Sequence, residues 1–180
     1  MNDLTVKQAI AQFYERNNFD QDGGVTPPVV WLKLGPIPLP IFNIPSRRRA
    51  LRMHDIHHVV MRYQATWKGE AEVSAWEVAS GGWGRLWYVW GIVLSGLALG
   101  VVFFPRATRV AFQNGLTMRN AFVCGLSEAE MLGMSVSALR EKLETGVHTG
   151  RSYFLWALLS VSLVAIPAVL GVLVLWVVWG

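Results

Sequence analysis

Read for its apolar and polar positions, the chain predicts helices and almost no strand. Val6, Ala9, Ile10 and Phe13 recur at helical spacing over 5–16, where Thr5 is placed as a cap and Asn17-Asn18 as a stop. Residues 20–45 break the pattern with six prolines, which predicts an extended lead-in. Its Val, Ile, Leu and Phe content predicts that it lies on apolar surface. Ser46 is placed to cap a helix over roughly 47–64, and a second helix runs over about 69–80 to Gly81-Gly82. Ser127 with Glu130 spells a capping box. Ser135 is placed to cap a last amphipathic helix, with Val136, Leu139 and Leu143 inward and Gly146 as its stop. The expected fold is all-α. A helical domain fills 1–150 and a hydrophobic helix fills 151–180.

Two stretches, 86–104 and 153–179, carry no charge. At ~1.5 Å per residue the first reaches about 28 Å, close to the ~30 Å hydrocarbon core of a bilayer. In the second, Trp156 stands at one end and Trp176 and Trp179 at the other, a placement suited to two membrane interfaces. Two topologies compete. Either 153–179 is a single C-terminal anchor and 86–104 a buried or lipid-grazing helix, or both span as a hairpin. Between them lie Arg106, Arg109, Arg119, Arg140, Lys142 and Arg151. The positive-inside rule keeps this basic stretch on the cytoplasmic side, and in a hairpin that would export the residues before 86. Hydropathy alone favours two spans; the charge bias, with the family resemblance given below, favours the single anchor, with membrane lipid as a partner.

Composition narrows the class. The 180 residues suffice for one domain; 53% are apolar and only 16% charged, against about 25% in an ordinary soluble domain. The net charge of +4 comes without a basic stripe carrying interleaved aromatics, so no nucleic-acid partner is expected. The single cysteine, Cys124, excludes an internal disulfide or a zinc site of several thiolates, and reads as a packing residue. Met1 to Asn18 is polar and amphipathic, unlike a signal peptide. Arg47, Arg48 and Arg49 oppose the dipole of the helix they open, and read either as a solvated face or as contacts for anionic lipid headgroups.

Chemistry concentrates in Met53-His54-Asp55-Ile56-His57-His58. His54 and His58, one helical turn apart, are a common grip on a transition metal. Asp55 lies about 100° round the helix, near enough to contribute from the side. Glu70 falls about 160° off the face of His54 if the helix is continuous, so a turn at Gly69 is needed to fold it back. Solvated histidines remain the plainer alternative. A membrane di-iron enzyme is excluded by count, because only His148 lies outside this segment.

His54-Asp55-x-x-His58, eleven residues, then Glu70 resembles the signature of the coenzyme Q biosynthesis protein four family. Gly69, Trp76-Glu77 and Leu139-Arg140-Glu141-Lys142-Leu143 are also similar to that family. The resemblance covers about residues 5–146 and is strong over 52–77. It implies an all-helical protein on quinone-bearing membranes, bacterial inner or mitochondrial inner, with the motif domain on the cytoplasmic or matrix side. It implies a divalent metal, zinc in the first place with iron or manganese as alternatives, held by His54, Asp55, His58 and Glu70. The implied activity is loss of the ring carboxylate of a polyprenylated hydroxybenzoate, with hydroxyl in its place, beside other quinone-biosynthesis enzymes. The hydrophobicity of 86–104 and the added span at 153–179 depart from the family.

His57 and Glu77 are expected to orient ligands, His57 equally to be solvated, and Arg52 and Arg62 to meet a carboxylate or prenyl diphosphate or lie free on the surface. Two further readings stay open: a scaffold with a structural metal, and a metal-dependent lipid hydrolase with Glu70 as base. A homo-oligomer is left open as well.

Overall fold

A computed structural model describes the backbone of residues 3–34 and 37–179, and their side chains except within 30–41, at 173–175 and at 177 and 178. The described residues form eight helices and one two-stranded hairpin. The helices are α1 (Val6–Arg16), α2 (Pro45–Met61), α3 (Trp67–Ala79), α4 (Trp87–Phe103), α5 (Pro105–Gly115), α6 (Glu128–Gly133), α7 (Val136–Leu143) and α8 (Tyr153–Trp179).

Local chemistry sets most boundaries. Thr5 and Gln8 form a capping box on α1, Ser127 and Glu130 one on α6, and Ser135 caps α7. Two expectations shift. α2 begins one residue before Ser46, with Pro45 in its first turn and Ile44 as an N-cap whose side chain makes no hydrogen bond. α7 stops at Leu143, three residues before Gly146. The proline-rich lead-in is extended, as its composition predicts, but folds on itself: β1 (Val29–Leu34) pairs antiparallel with β2 (Ile37–Phe42), from Val29 opposite Phe42 to Leu34 opposite Ile37. The surface its side chains were expected to cover concerns residues 30–41, whose side chains lie outside the described set.

α3 is the centre of the core. Val73, Ala75, Trp76, Glu77, Val78 and Ala79 are all fully buried. α4 crosses it closely because glycines face it. A Cβ at Gly100 would lie 2.8 Å from the Ala71 methyl and 2.5 Å from Thr108 Oγ1 of α5, and one at Gly96 2.2 Å from Ser74 Oγ. These contacts, with Gly82 against Trp90, make α3 and α4 antiparallel. α5 was not foreseen as a separate helix. Pro105 ends α4 and starts α5, which brings Gly115 against the Trp76 carbonyl and Ala79 at the far end of α3.

α8 docks at its start and then leaves. Tyr153 packs on Phe112 of α5, and one turn later Trp156 stacks on Trp90 in the first turn of α4, with centroids 5.4 Å apart. Arg151 lies over both indoles and donates to the Val78 and Gly81 carbonyls at the end of α3. α8 packs against α4. Ala157 and Ser160 are buried, whereas every described side chain from Leu163 onward is exposed. Among the described residues α8 alone is long and apolar enough to cross a membrane; α4 is a shorter apolar helix.

Close packing of α4 yields a paired prediction. Gly100→Ala lowers stability by about 1–3 kcal/mol through overpacking. Gly91→Ala meets no heavy atom within 4 Å and is neutral or stabilising by up to about 1 kcal/mol. Unfolding midpoints in detergent compare the two.

Candidate metal site

The histidines and acids meet where α2 and α3 pack antiparallel. α2 ends at Met61, with Arg62 in the left-handed region at φ 60° and the Tyr63 amide donating to the His58 carbonyl at 3.0 Å. Thr66 then caps α3 by accepting from the Gly69 amide at 3.2 Å. A Cβ at residue 69 would stand 1.8 Å from the Gln64 carbonyl oxygen, so the turn is closed by glycine. The reversal occupies residues 62–66 rather than Gly69 itself. It removes the angular mismatch between Glu70 and the histidines that a continuous helix would impose.

Three ligand atoms converge there. His54 Nε2 lies 3.1 Å from His58 Nε2 and 3.3 Å from Glu70 Oε2, and His58 Nε2 lies 3.4 Å from Glu70 Oε1. The opposite ring nitrogens are held by acceptors. His54 Nδ1 is 2.8 Å from Glu77 Oε1, and His58 Nδ1 is 3.0 Å from the Tyr63 carbonyl oxygen. A carboxylate and a carbonyl accept hydrogen bonds only, so each Nδ1 carries a hydrogen. In the neutral rings both Nε2 atoms then present lone pairs, beside a third acceptor, the Glu70 carboxylate. Three acceptors meeting without a donor call for a cation. Bonds of ~2.0–2.1 Å to a tetrahedral ion place ligand atoms about 3.3 Å apart, which is the spacing found. The Glu70 side chain is 47% exposed and that of His54 23%, so the site opens outward.

Charge follows the same geometry. Desolvation pushes the Glu70 carboxyl up, but the neighbouring imidazoles, with a proton on His54, outweigh it and hold it at about 2. Burial pushes His54 down, yet the Glu77 charge and the bonds to both acids raise it well above an ordinary histidine. Without a metal, a proton on His54 takes the cation's place; a divalent ion serves all three acceptors at once.

A second group, His54, His57 and Glu77, also has metal-binding spacing. Its atoms are otherwise engaged. Glu77 Oε1 accepts from His54 and, at 2.6 Å, from His57 Nδ1, while Oε2 accepts from Trp83 Nε1 at 3.1 Å. His57 Nε2 accepts from the Ala121 amide at 3.0 Å. Both side chains are wholly buried. Burial opposes the charge of Glu77, but the two imidazoles keep its carboxyl well below the usual range. Burial lowers His57 and keeps it neutral. Donor directions therefore favour His54, His58 and Glu70 as ligands and Glu77 as the group that fixes their tautomer and pose.

Other expected residues fall elsewhere. Asp55 is in neither metal-capable group; its Oδ2 accepts the Tyr14 hydroxyl at 2.5 Å and ties α1 to α2. Burial raises the pKa of both partners. His57 is buried, not solvated. Arg52 pairs with Glu128 at 3.0 Å, Arg62 is the exposed left-handed cap of α2, and His148 is exposed. Cys124 is half-buried against the Ala121 carbonyl. Sequence reasoning missed Tyr14, Trp83, the Tyr63 carbonyl and the Ala121 amide. Only Tyr63 carries a sequence signal, lying just past the second ligand histidine; the others join the site through the tertiary fold.

Two outcomes are expected. Glu77→Gln sets an amide N–H against donors, costs about 1–3 kcal/mol of stability and weakens zinc binding about 10–100-fold, read by denaturation and chelator competition. Glu70 has a folded value of about 2, below its ordinary 4.5. Its contribution to metal-free stability is full above pH 4.5 and is lost as pH falls toward 2. Glu70→Gln flattens that limb of the stability–pH curve.

No family model, curated protein or solved structure matches the chain.

Proposed function

We propose that this chain is a membrane-anchored metal protein of the coenzyme Q biosynthesis protein four type, acting on a prenylated aromatic acid. The observation that carries the reading is the convergence of His54 Nε2, His58 Nε2 and Glu70 at 3.1–3.4 Å, with each ring's other nitrogen already committed as a donor. The same residues carry the resemblance in sequence. Asp55, the fourth residue of that motif, is turned to Tyr14, so three protein ligands leave a position for substrate.

Two imidazoles and a carboxylate suit zinc, iron or manganese, with zinc the first expectation. Such an ion polarises carboxylate and phenolate oxygens and stabilises the charge that develops as CO2 leaves. Replacement of the carboxylate by hydroxyl releases CO2, removes two electrons and adds one oxygen atom, so it draws on an electron acceptor together with water from outside the chain. Glu77 and the Tyr63 carbonyl hold the ligand rings in pose. α8 is the anchor: Tyr153–Val172 is long and apolar enough to cross a membrane, and at ~1.5 Å per residue its 20 residues reach about 30 Å, enough for a hydrocarbon core. The membrane is bacterial inner or mitochondrial inner, and other quinone-biosynthesis enzymes are the neighbours. A scaffolding role with a structural metal is the second reading, favoured by the way the Glu77 network ties α2, α3 and the Ala121 loop together.

Metal analysis of detergent-purified protein is expected to find about one divalent ion per chain, lost in His58→Ala and in Glu70→Ala. Incubation with a carboxyl-labelled polyprenyl hydroxybenzoate and an oxidant is expected to release labelled CO2, and neither variant should do so. Metal without turnover favours the scaffold. Wild type that holds no metal after metal-replete preparation overturns the site.

A further inference from the structure

α4 presents three faces, and protein covers two of them. At about 100° per residue, Val93, Gly96, Leu97 and Gly100 form the face that meets α3. A Cβ at Gly96 would lie 2.2 Å from Ser74 Oγ and 3.7 Å from the Glu70 carbonyl oxygen. Trp90, Leu94 and Ala98 form the next face round the helix. α8 covers it, packing along α4 with Trp156 stacked on Trp90. Trp87 belongs to the same face and is 81% exposed, whereas Ala98, two turns past Trp90, is 5% exposed. α8 therefore runs beside α4 from Trp90 toward Phe103, with its own Ala157 and Ser160 buried.

Among the described residues the third face has no protein cover. Ile92, Leu99, Val102 and Phe103 lie within about 100° of arc, and all four are exposed, Phe103 at 67%. The polar side chain on this face is Ser95, and its hydroxyl donates to the Gly91 carbonyl at 2.8 Å, so it needs no water. A helix face turned to water ordinarily carries charged and polar side chains; α4 has no charged residue. Continuity names the cover. The face adjoins the one that α8 occupies, and α8 exposes Phe154, Leu155, Leu158, Leu159 and Leu163 on the sides it does not turn to α4. The two helices thus present one joined apolar surface, larger than the scattered exposed side chains of an ordinary soluble domain. α8 is the described helix of membrane-crossing length, and lipid that surrounds it reaches the adjoining face of α4 as well.

We infer that the outer face of α4, with Ile92, Leu99, Val102 and Phe103, is covered by lipid acyl chains of the same bilayer that receives α8. The inference rests on α8 being the anchor. It adds a second lipid-facing helix, so that the domain sits against the bilayer along α4 rather than hanging from α8 alone. It also sets the metal site one helix in from lipid, because α3, which carries Glu70, packs on the other adjoining face of α4. A substrate's prenyl chain can then stay in lipid beside α4 while its ring turns toward the metal.

The test uses the full chain, carrying Cys124→Ala and one added cysteine bearing an environment-sensitive fluorophore. Leu99→Cys and Val102→Cys report the outer face of α4, and Leu158→Cys reports α8. Glu141→Cys, exposed on α7, is the water-facing reference. Each protein is reconstituted in phosphatidylcholine vesicles, with or without lipid that carries a nitroxide on its acyl chain. The expected result is quenching at positions 99, 102 and 158 several-fold above that at 141. Quenching at 158, with 99 and 102 no more quenched than 141, overturns the inference and leaves the anchor standing. Blue-shifted emission at 99 and 102 without nitroxide quenching overturns it too, because a second copy or another protein then covers the face. No quenching at 158 overturns the anchor, and the inference with it.

Discussion

The site depends on one buried carboxylate. Glu77 sits in the middle of the core with no exposed surface, and a charge there is tolerable only because three donors surround it. Two of those donors are imidazoles, one on each side of the turn of α2 that carries the motif. Accepting from both, Glu77 sets the tautomer of His54, its ring orientation and the packing of α2 on α3. Among the described residues no other group hydrogen-bonds His54 Nδ1. The Tyr63 carbonyl does the same for His58, and it can because α2 breaks at Met61.

That arrangement separates two tasks that a histidine-rich helix could have merged. The inner layer, His57, Glu77, Trp83 and the Ala121 amide, is dry and fully paired, and joins α2, α3 and the loop after Asn120. The outer layer, His54, His58 and Glu70, is partly exposed and short of donors. A proton or a metal completes the outer layer without disturbing the inner one. Chemistry at the surface of a rigid core is the ordinary design of a catalytic metal centre, in which the ligands are held by groups that never touch the substrate.

The molecule is also polar in the geometric sense. Antiparallel packing of α2 and α4 on α3 sends the turn carrying Glu70 to one end and the first turns of α2 and α4 to the other. α8 joins at the second end through Arg151, Trp90 and Trp156. The first turn of α2 and the exposed Trp87 thus lie at one end of α3, and the three acceptors lie at the other.

Much of this was legible in the sequence, for physical reasons. The cap at Thr5 and the capping box at Ser127 are local chemistry, and the i, i+4 pair of His54 and His58 is fixed by helical geometry. The apolar length of α8 is a matter of composition, and Pro27, Pro28, Pro38 and Pro40 keep the lead-in out of helix. The tertiary structure decided what depends on turns and long-range partners. The break at Arg62, closed by Gly69 against the Gln64 carbonyl, determines that Glu70 returns to the histidines. Tyr14, far off in sequence, draws Asp55 away from its neighbours, and Glu77 lies at the centre of the site rather than at its margin. Tertiary packing also sets α8 against α4, a pairing that hydropathy does not show. Sequence spacing fixes neighbours along one helix face. Which groups face each other across two helices depends on where the chain turns and on which buried charges must find partners.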